Sequence, residues 1–87
     1  MKKEVAEQVM AMVKTSIEEL NKSIYLVQER CAPEELKAFR RGVGHALSEI
    51  HDRILNPILR EHPDLLPKDV DYTPPPGPTL AEIGSKN

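Results

Sequence analysis

Apolar residues recur along the first third of the chain in unbroken steps of four and three: Ala6, Met10, Val13, Ile17, Leu20, Ile24, Val27 and Cys31. No Gly or Pro interrupts residues 1–32. A heptad-type pattern sustained this long predicts one amphipathic helix from about residue 3 to residue 30. Glu18 and Lys22, four apart with the acid first, add a small favourable pair to its polar side. The apolar stripe is broader than a two-stranded seam. Val9, Ser16 and Ser23 flank it at intervals of seven, and Val5, Met12 and Leu26 widen it further. A helix with one neighbour needs only a narrow line, whereas a helix in a bundle presents about three apolar positions per heptad. The width therefore predicts two helical neighbours.

The first helix should stop at Cys31-Ala32-Pro33, a turn over 31–33. Pro33 suits the first position of a new helix, where its missing N–H costs nothing. Glu34 and Glu35 follow in the first turn, where acids favour the helix dipole. A second helix over about 33–61 carries Leu36, Phe39, Val43, Ala46, Leu47, Ile50 and Ile54. Its stripe drifts towards Ile58, as expected of a helix that is not strictly supercoiled. Asn56-Pro57 predicts a break or kink. Gly42 and Gly44 each cost roughly 1 kcal/mol against Ala inside a helix; close backbone approach to the first helix is the expected return, and plain weakening or bending of the second helix is the alternative. So short a link permits only an antiparallel hairpin. Counting outward from the turn sets Leu20 opposite Val43, Val13 opposite Ile50 and Met10 opposite Ile54.

From Pro63 the composition changes. Pro63, Pro67, Pro74, Pro75, Pro76 and Pro78 exclude a long helix and predict an extended or disordered tail over 63–87. Leu65 and Leu66 are placed to tuck back onto the bundle end. Thr79 and Glu82 have capping-box spacing, enough for one helical turn that would present Leu80 and Ile83 to a partner.

Eighty-seven residues hold one domain. With no Trp, one Phe and two Tyr, the core must be aliphatic. A chain this short buries too little alone, and a second copy of itself is the simplest supplement. The predicted fold is all-α: an antiparallel two-helix hairpin over 1–62 that dimerises into a four-helix bundle, followed by the Pro-rich tail. Val5, Val9, Met12, Ser16, Leu47, Ile54 and Ile58 are the candidate dimer interface. The lone Cys31 rules out an internal disulfide and fits a reducing, cytoplasmic setting. No apolar run approaches the roughly 20 residues of a membrane span, and the Lys2-Lys3-Glu4 start does not read as a signal peptide.

Candidate chemistry is sparse. His45, Glu49 and Asp52 share a helical face, but no Glu-x-x-His element supports a bundle metal site, so a solvated face is expected and no metal or cofactor. His51 and His62 stand apart from any carboxylate partner legible in the sequence. Cys31 lacks the neighbouring base a reactive thiol needs. No catalytic constellation can be assembled, and no enzyme is predicted. Lys37, Arg40 and Arg41 form a small basic patch at the hairpin tip. Glu29, Glu34 and Glu35 dilute it, the net charge is −2, and no aromatic interleaves with the bases. Nucleic-acid binding is accordingly the alternative reading. The leading one is a structural or protein-interaction module, partnered by a second copy and by an unidentified protein. No motif names the process it serves.

Overall fold

The computed structural model describes residues 1–85, and its regular structure among them is all helical, with no strand. Helix α1 spans Lys3–Arg30. At 1.5 Å per residue it is about 42 Å long and sets the 44 Å long axis of the molecule. Glu4 in its first turn and Arg30 in its last complement the helix dipole. Lys22 pairs with Glu19 at 3.3 Å rather than with Glu18, the three-residue spacing winning over the four. Helix α2, Pro33–Ile50, begins with Pro33 at its start and Glu34 and Glu35 in the first turn. The Cys31-Ala32 link turns the chain back, and α2 packs against α1.

At Asn56-Pro57 the helical path continues through one π-helical turn, His51–Leu55. Proline has no N–H, and its ring collides with the carbonyl four residues earlier. Widening the turn so that the Asn56 N–H reaches back five residues to the His51 carbonyl makes room for the ring. Helix α3, Asn56–Glu61, follows at once, then a 3₁₀ turn over Pro63–Leu65. Residues 66–79 have no regular structure. Helix α4, Leu80–Ser85, is opened by a reciprocal capping box: the Thr79 N–H donates to Glu82 Oε1 at 3.1 Å and the Glu82 N–H to Thr79 Oγ1 at 3.3 Å.

Most of the enclosed core lies at the α3 end of the molecule, while Val43 is buried farther along α2. Among the described residues only Ala6, Val43, Ile58 and Leu59 are fully buried apolar side chains apart from Pro57. Four consecutive residues of α3, Asn56 to Leu59, are buried. Consecutive helical positions point around the whole circumference, so α3 must have neighbours on every side. Two of them come from the chain ends. The Met1 ammonium donates to Glu61 at 2.9 Å, His62 Nε2 lies 2.8 Å from the Met1 carbonyl, and Lys3 pairs with Asp64. On another side the Tyr72 hydroxyl donates to Asn56 Oδ1 at 2.7 Å. Arg60 donates through Nε to the Pro75 carbonyl at 2.7 Å and through Nη1 to the Pro78 carbonyl at 3.2 Å. A Cβ on Gly77 would fall 2.7 Å from the Arg60 guanidinium carbon, so the absence of a side chain there lets the loop close over it. The Pro-rich segment is thus a strap held against α3.

Gly42 and Gly44 do not buy a close helix approach, because a Cβ at either would meet nothing within 4 Å. Both are exposed in α2, so within the single chain they only weaken it. Replacing either by Ala is expected to raise unfolding stability by about 1 kcal/mol, read from the urea midpoint followed by circular dichroism.

The charged contacts at the α3 end carry a pH signature. The Met1 ammonium beside Glu61 and the Lys3 ammonium beside Asp64 hold both carboxyls below their ordinary values, through hydrogen bonding first. Asp64 in turn raises Lys3. The acid contribution is fully present above the ordinary carboxylate range and is lost as pH falls through the lowered folded-state values. The Lys3 contribution is present below the ordinary lysine value and disappears as pH rises through the raised one. Asp64→Asn should therefore flatten part of the acid limb in a stability–pH profile. It should also remove the Lys3 effect on the alkaline limb.

Candidate functional site

The apolar stripe of α1 is only half covered. Val9, Met10, Val13, Ile17, Leu20, Ile24, Val27 and Cys31 are all half-buried, and Ala6 alone is fully enclosed. Helix α2 therefore shields part of the stripe and leaves its flanks open. On one flank Met12 is 66% exposed, Leu26 54% and Val5 43%. These are large apolar side chains at heptad-related positions of one helix. Ser16, on the same flank, is exposed, but its hydroxyl donates to the Met12 carbonyl at 3.0 Å. The Ser23 hydroxyl donates likewise to the Leu20 carbonyl. Both serines satisfy themselves on their own helix and demand nothing from a partner.

The other flank borders a groove of about 460 Å³. Met10, Val13 and Ile17 form one wall, and Leu55, Leu65 and Pro67 the other, with Lys14 and Glu18 beside the helix wall. Leu65 and Leu66 are half-buried.

The candidate interface residues separate by burial. Val5, Met12 and Ser16 are exposed, and Val9, Leu47 and Ile54 are half-buried. Ile58 is 2% exposed inside the single chain and offers no surface to a second copy. Its place in the drifting stripe pointed outward only because the strap had no visible role in the sequence.

The other chemistry-bearing residues are dispersed. His51 Nδ1 bonds the Leu47 carbonyl at 2.9 Å, Glu49 pairs with Arg53, and His45 and Asp52 are exposed. Among the described residues no three His, Cys, Asp or Glu side chains are grouped to hold a metal ion. Partial burial raises the Cys31 thiol above its ordinary value, and the neighbouring Glu35 carboxylate adds to the shift. That is the opposite of the thiolate-favouring setting a nucleophile requires. Lys37, Arg40 and Arg41 are exposed at the α1–α2 turn end, among the exposed acids Glu29, Glu34 and Glu35. One feature of this region was not legible in the sequence. Tyr25 joins Arg40, Asn21 and Ile24 around a shallow concavity of about 340 Å³, so an aromatic does stand beside one of the bases.

The contacts of the strap were also hidden. Tyr72, one of only three aromatic residues, was the available signal, since a large side chain in a polar segment usually has something to cover.

The fold and its open flanks define an all-α protein whose first helix has more apolar surface than its own chain covers, with no helix among the described residues long and apolar enough to cross a membrane. No protein family, curated protein or solved structure matches the chain significantly.

Proposed function

We propose that this is a non-enzymatic structural or protein-interaction module that works as a homo-oligomer: two helical hairpins closed into a four-helix bundle, in the reducing cytoplasm. One observation carries the reading. The chain exposes 6567 Å² for a mass of 9.8 kDa. Area–mass scaling gives about 5,200 Å² for a globular monomer of that mass, an excess of about 1,400 Å². A standard interface removes about 800 Å² from each partner. The radius of gyration, 15.6 Å, likewise exceeds the roughly 12 Å of a compact chain of this length. The exposed flank of Val5, Met12 and Ser16, with the half-buried Val9, Leu47 and Ile54, supplies surface for the second copy.

Unfolding coupled to dissociation depends on concentration. The urea midpoint should rise with protein concentration over a hundredfold range, and Met12→Lys should lower it and abolish the dependence. A midpoint indifferent to concentration in the unsubstituted chain contradicts the proposal.

Tyr25 beside Arg40 favours a second reading, a small nucleic-acid-binding regulator using Lys37, Arg40 and Arg41. Stacking on Tyr25 would supplement phosphate contacts. Binding to single-stranded RNA or DNA should then fall steeply with salt and vanish in Arg40→Glu; no gel shift at low salt disposes of it.

A further inference from the structure

We infer that the second copy crosses α1 antiparallel to it, with the two-fold axis of the dimer beside Ser16. The inference rests on the homo-oligomer reading and adds the surface and its symmetry. A two-fold interface is self-complementary: if position i of one copy meets j of the other, j meets i. The partner is a second copy because the excess of about 1,400 Å² is large enough to include the roughly 800 Å² a standard interface removes from each partner, and because an axis beside Ser16 makes the flank complement itself. Ser16 is the midpoint between Val5 and Val27. An axis there sets Val5 against Val27 of the second copy, Val9 against Ser23, and Met12 against Leu20. Val5, Val9 and Met12 thus each meet an uncharged residue, whereas Leu26 falls opposite Ala6, which its own chain encloses, and stays outside the contact.

Two other placements on the flank fail. An axis at Glu19 brings two carboxylates together. An axis at Met12 places Glu19 against Val5, an acid against an apolar side chain. With the axis at Ser16, Glu19 falls to the rim, where Lys22 of its own helix already neutralises it at 3.3 Å. Ser16 also suits the crossing point itself. It is small, which permits the closest approach of two helices. Its hydroxyl is bonded to the Met12 carbonyl, so enclosing it buries no unmet polar group.

The test uses the full chain with Cys31→Ala, carrying either Ser16→Cys or Met12→Cys. Only a residue on the axis faces its own counterpart. Under a glutathione redox buffer Ser16→Cys should form an interchain disulfide at least about tenfold faster than Met12→Cys. The two Cα atoms then lie within the roughly 4.4–6.8 Å that a disulfide spans. Sedimentation of the reduced proteins is run alongside. If they sediment as dimers and Met12→Cys links as fast or faster, the axis is elsewhere and the inference is overturned while the homo-oligomer reading stands. If the unsubstituted chain, run beside them, sediments as a monomer, both fall. If it alone is a dimer and Ser16→Cys and Met12→Cys are both monomers, the homo-oligomer reading stands and the axis inference is overturned, since a thiol at the crossing point is small enough to be tolerated there.

Discussion

Ile58→Ala is expected to destabilise the protein by about 2–5 kcal/mol, the range for emptying a well-packed aliphatic site. Ile58 is 2% exposed and, with Leu59, Ala6 and Val43, makes up nearly all of the fully enclosed apolar core. A core this small has no reserve. The surrounding walls are also poorly able to collapse, since α3 is bounded by the proline-induced π turn on one side and by the strap on another. The substitution should therefore fall in the upper half of that range. The same change at Ile17, which is only half-buried on α1, should cost markedly less. Urea unfolding at one fixed concentration compares the two directly. Equal losses would mean that the core does not sit at the α3 end.

Ending the chain at Pro67 should cost about 3 kcal/mol or more. Residues 68–85 supply the Tyr72 hydroxyl bonded to Asn56 and both carbonyls bonded to Arg60. Without them the strap side of α3 is opened to water. Re-exposing a side chain such as Ile58 or Leu59 forfeits about 1.5–3 kcal/mol each. Tyr72→Phe isolates one part of the effect. It leaves the cover in place and removes only the donor to an amide oxygen on a residue that is 3% exposed. An unpaired buried acceptor costs about 1–3 kcal/mol, so Tyr72→Phe should recover a fraction of the truncation's loss. If the shortened chain unfolds at the same urea concentration as the full one, the strap is no part of the fold.

The helical character of the chain was legible because α1 and α2 obey local rules. Residues 1–32 carry no breaker and a steady apolar period, and Pro33, Glu34 and Glu35 start a helix by their own chemistry. The capping box at Thr79 and Glu82 was legible for the same reason, its two partners being three residues apart. What the pattern hid is long in range. Tyr72 reaches Asn56 across sixteen residues, and Arg60 reaches Pro75 and Pro78 across fifteen and eighteen. Neither pairing leaves a periodic trace. Gly42 and Gly44 misled for a related reason. Their cost is local and visible, whereas the presence or absence of a neighbour at their Cβ positions is a property of the whole fold. The candidate site was half legible. The width of the α1 stripe signalled unsatisfied apolar surface, and Met12, Val5 and Leu26 are exposed. Tyr25 beside Arg40 came from packing two helices in a particular register, which composition cannot supply.

Sedimentation equilibrium of the unsubstituted chain at micromolar concentration tests the central claim most directly. A mass twice the 9.8 kDa of the single chain, falling towards that value on dilution, is what the chain's excess surface and the open flank of α1 predict. A single 9.8 kDa species that still unfolds in one cooperative transition would show that one copy closes its own flanks, and would contradict the account.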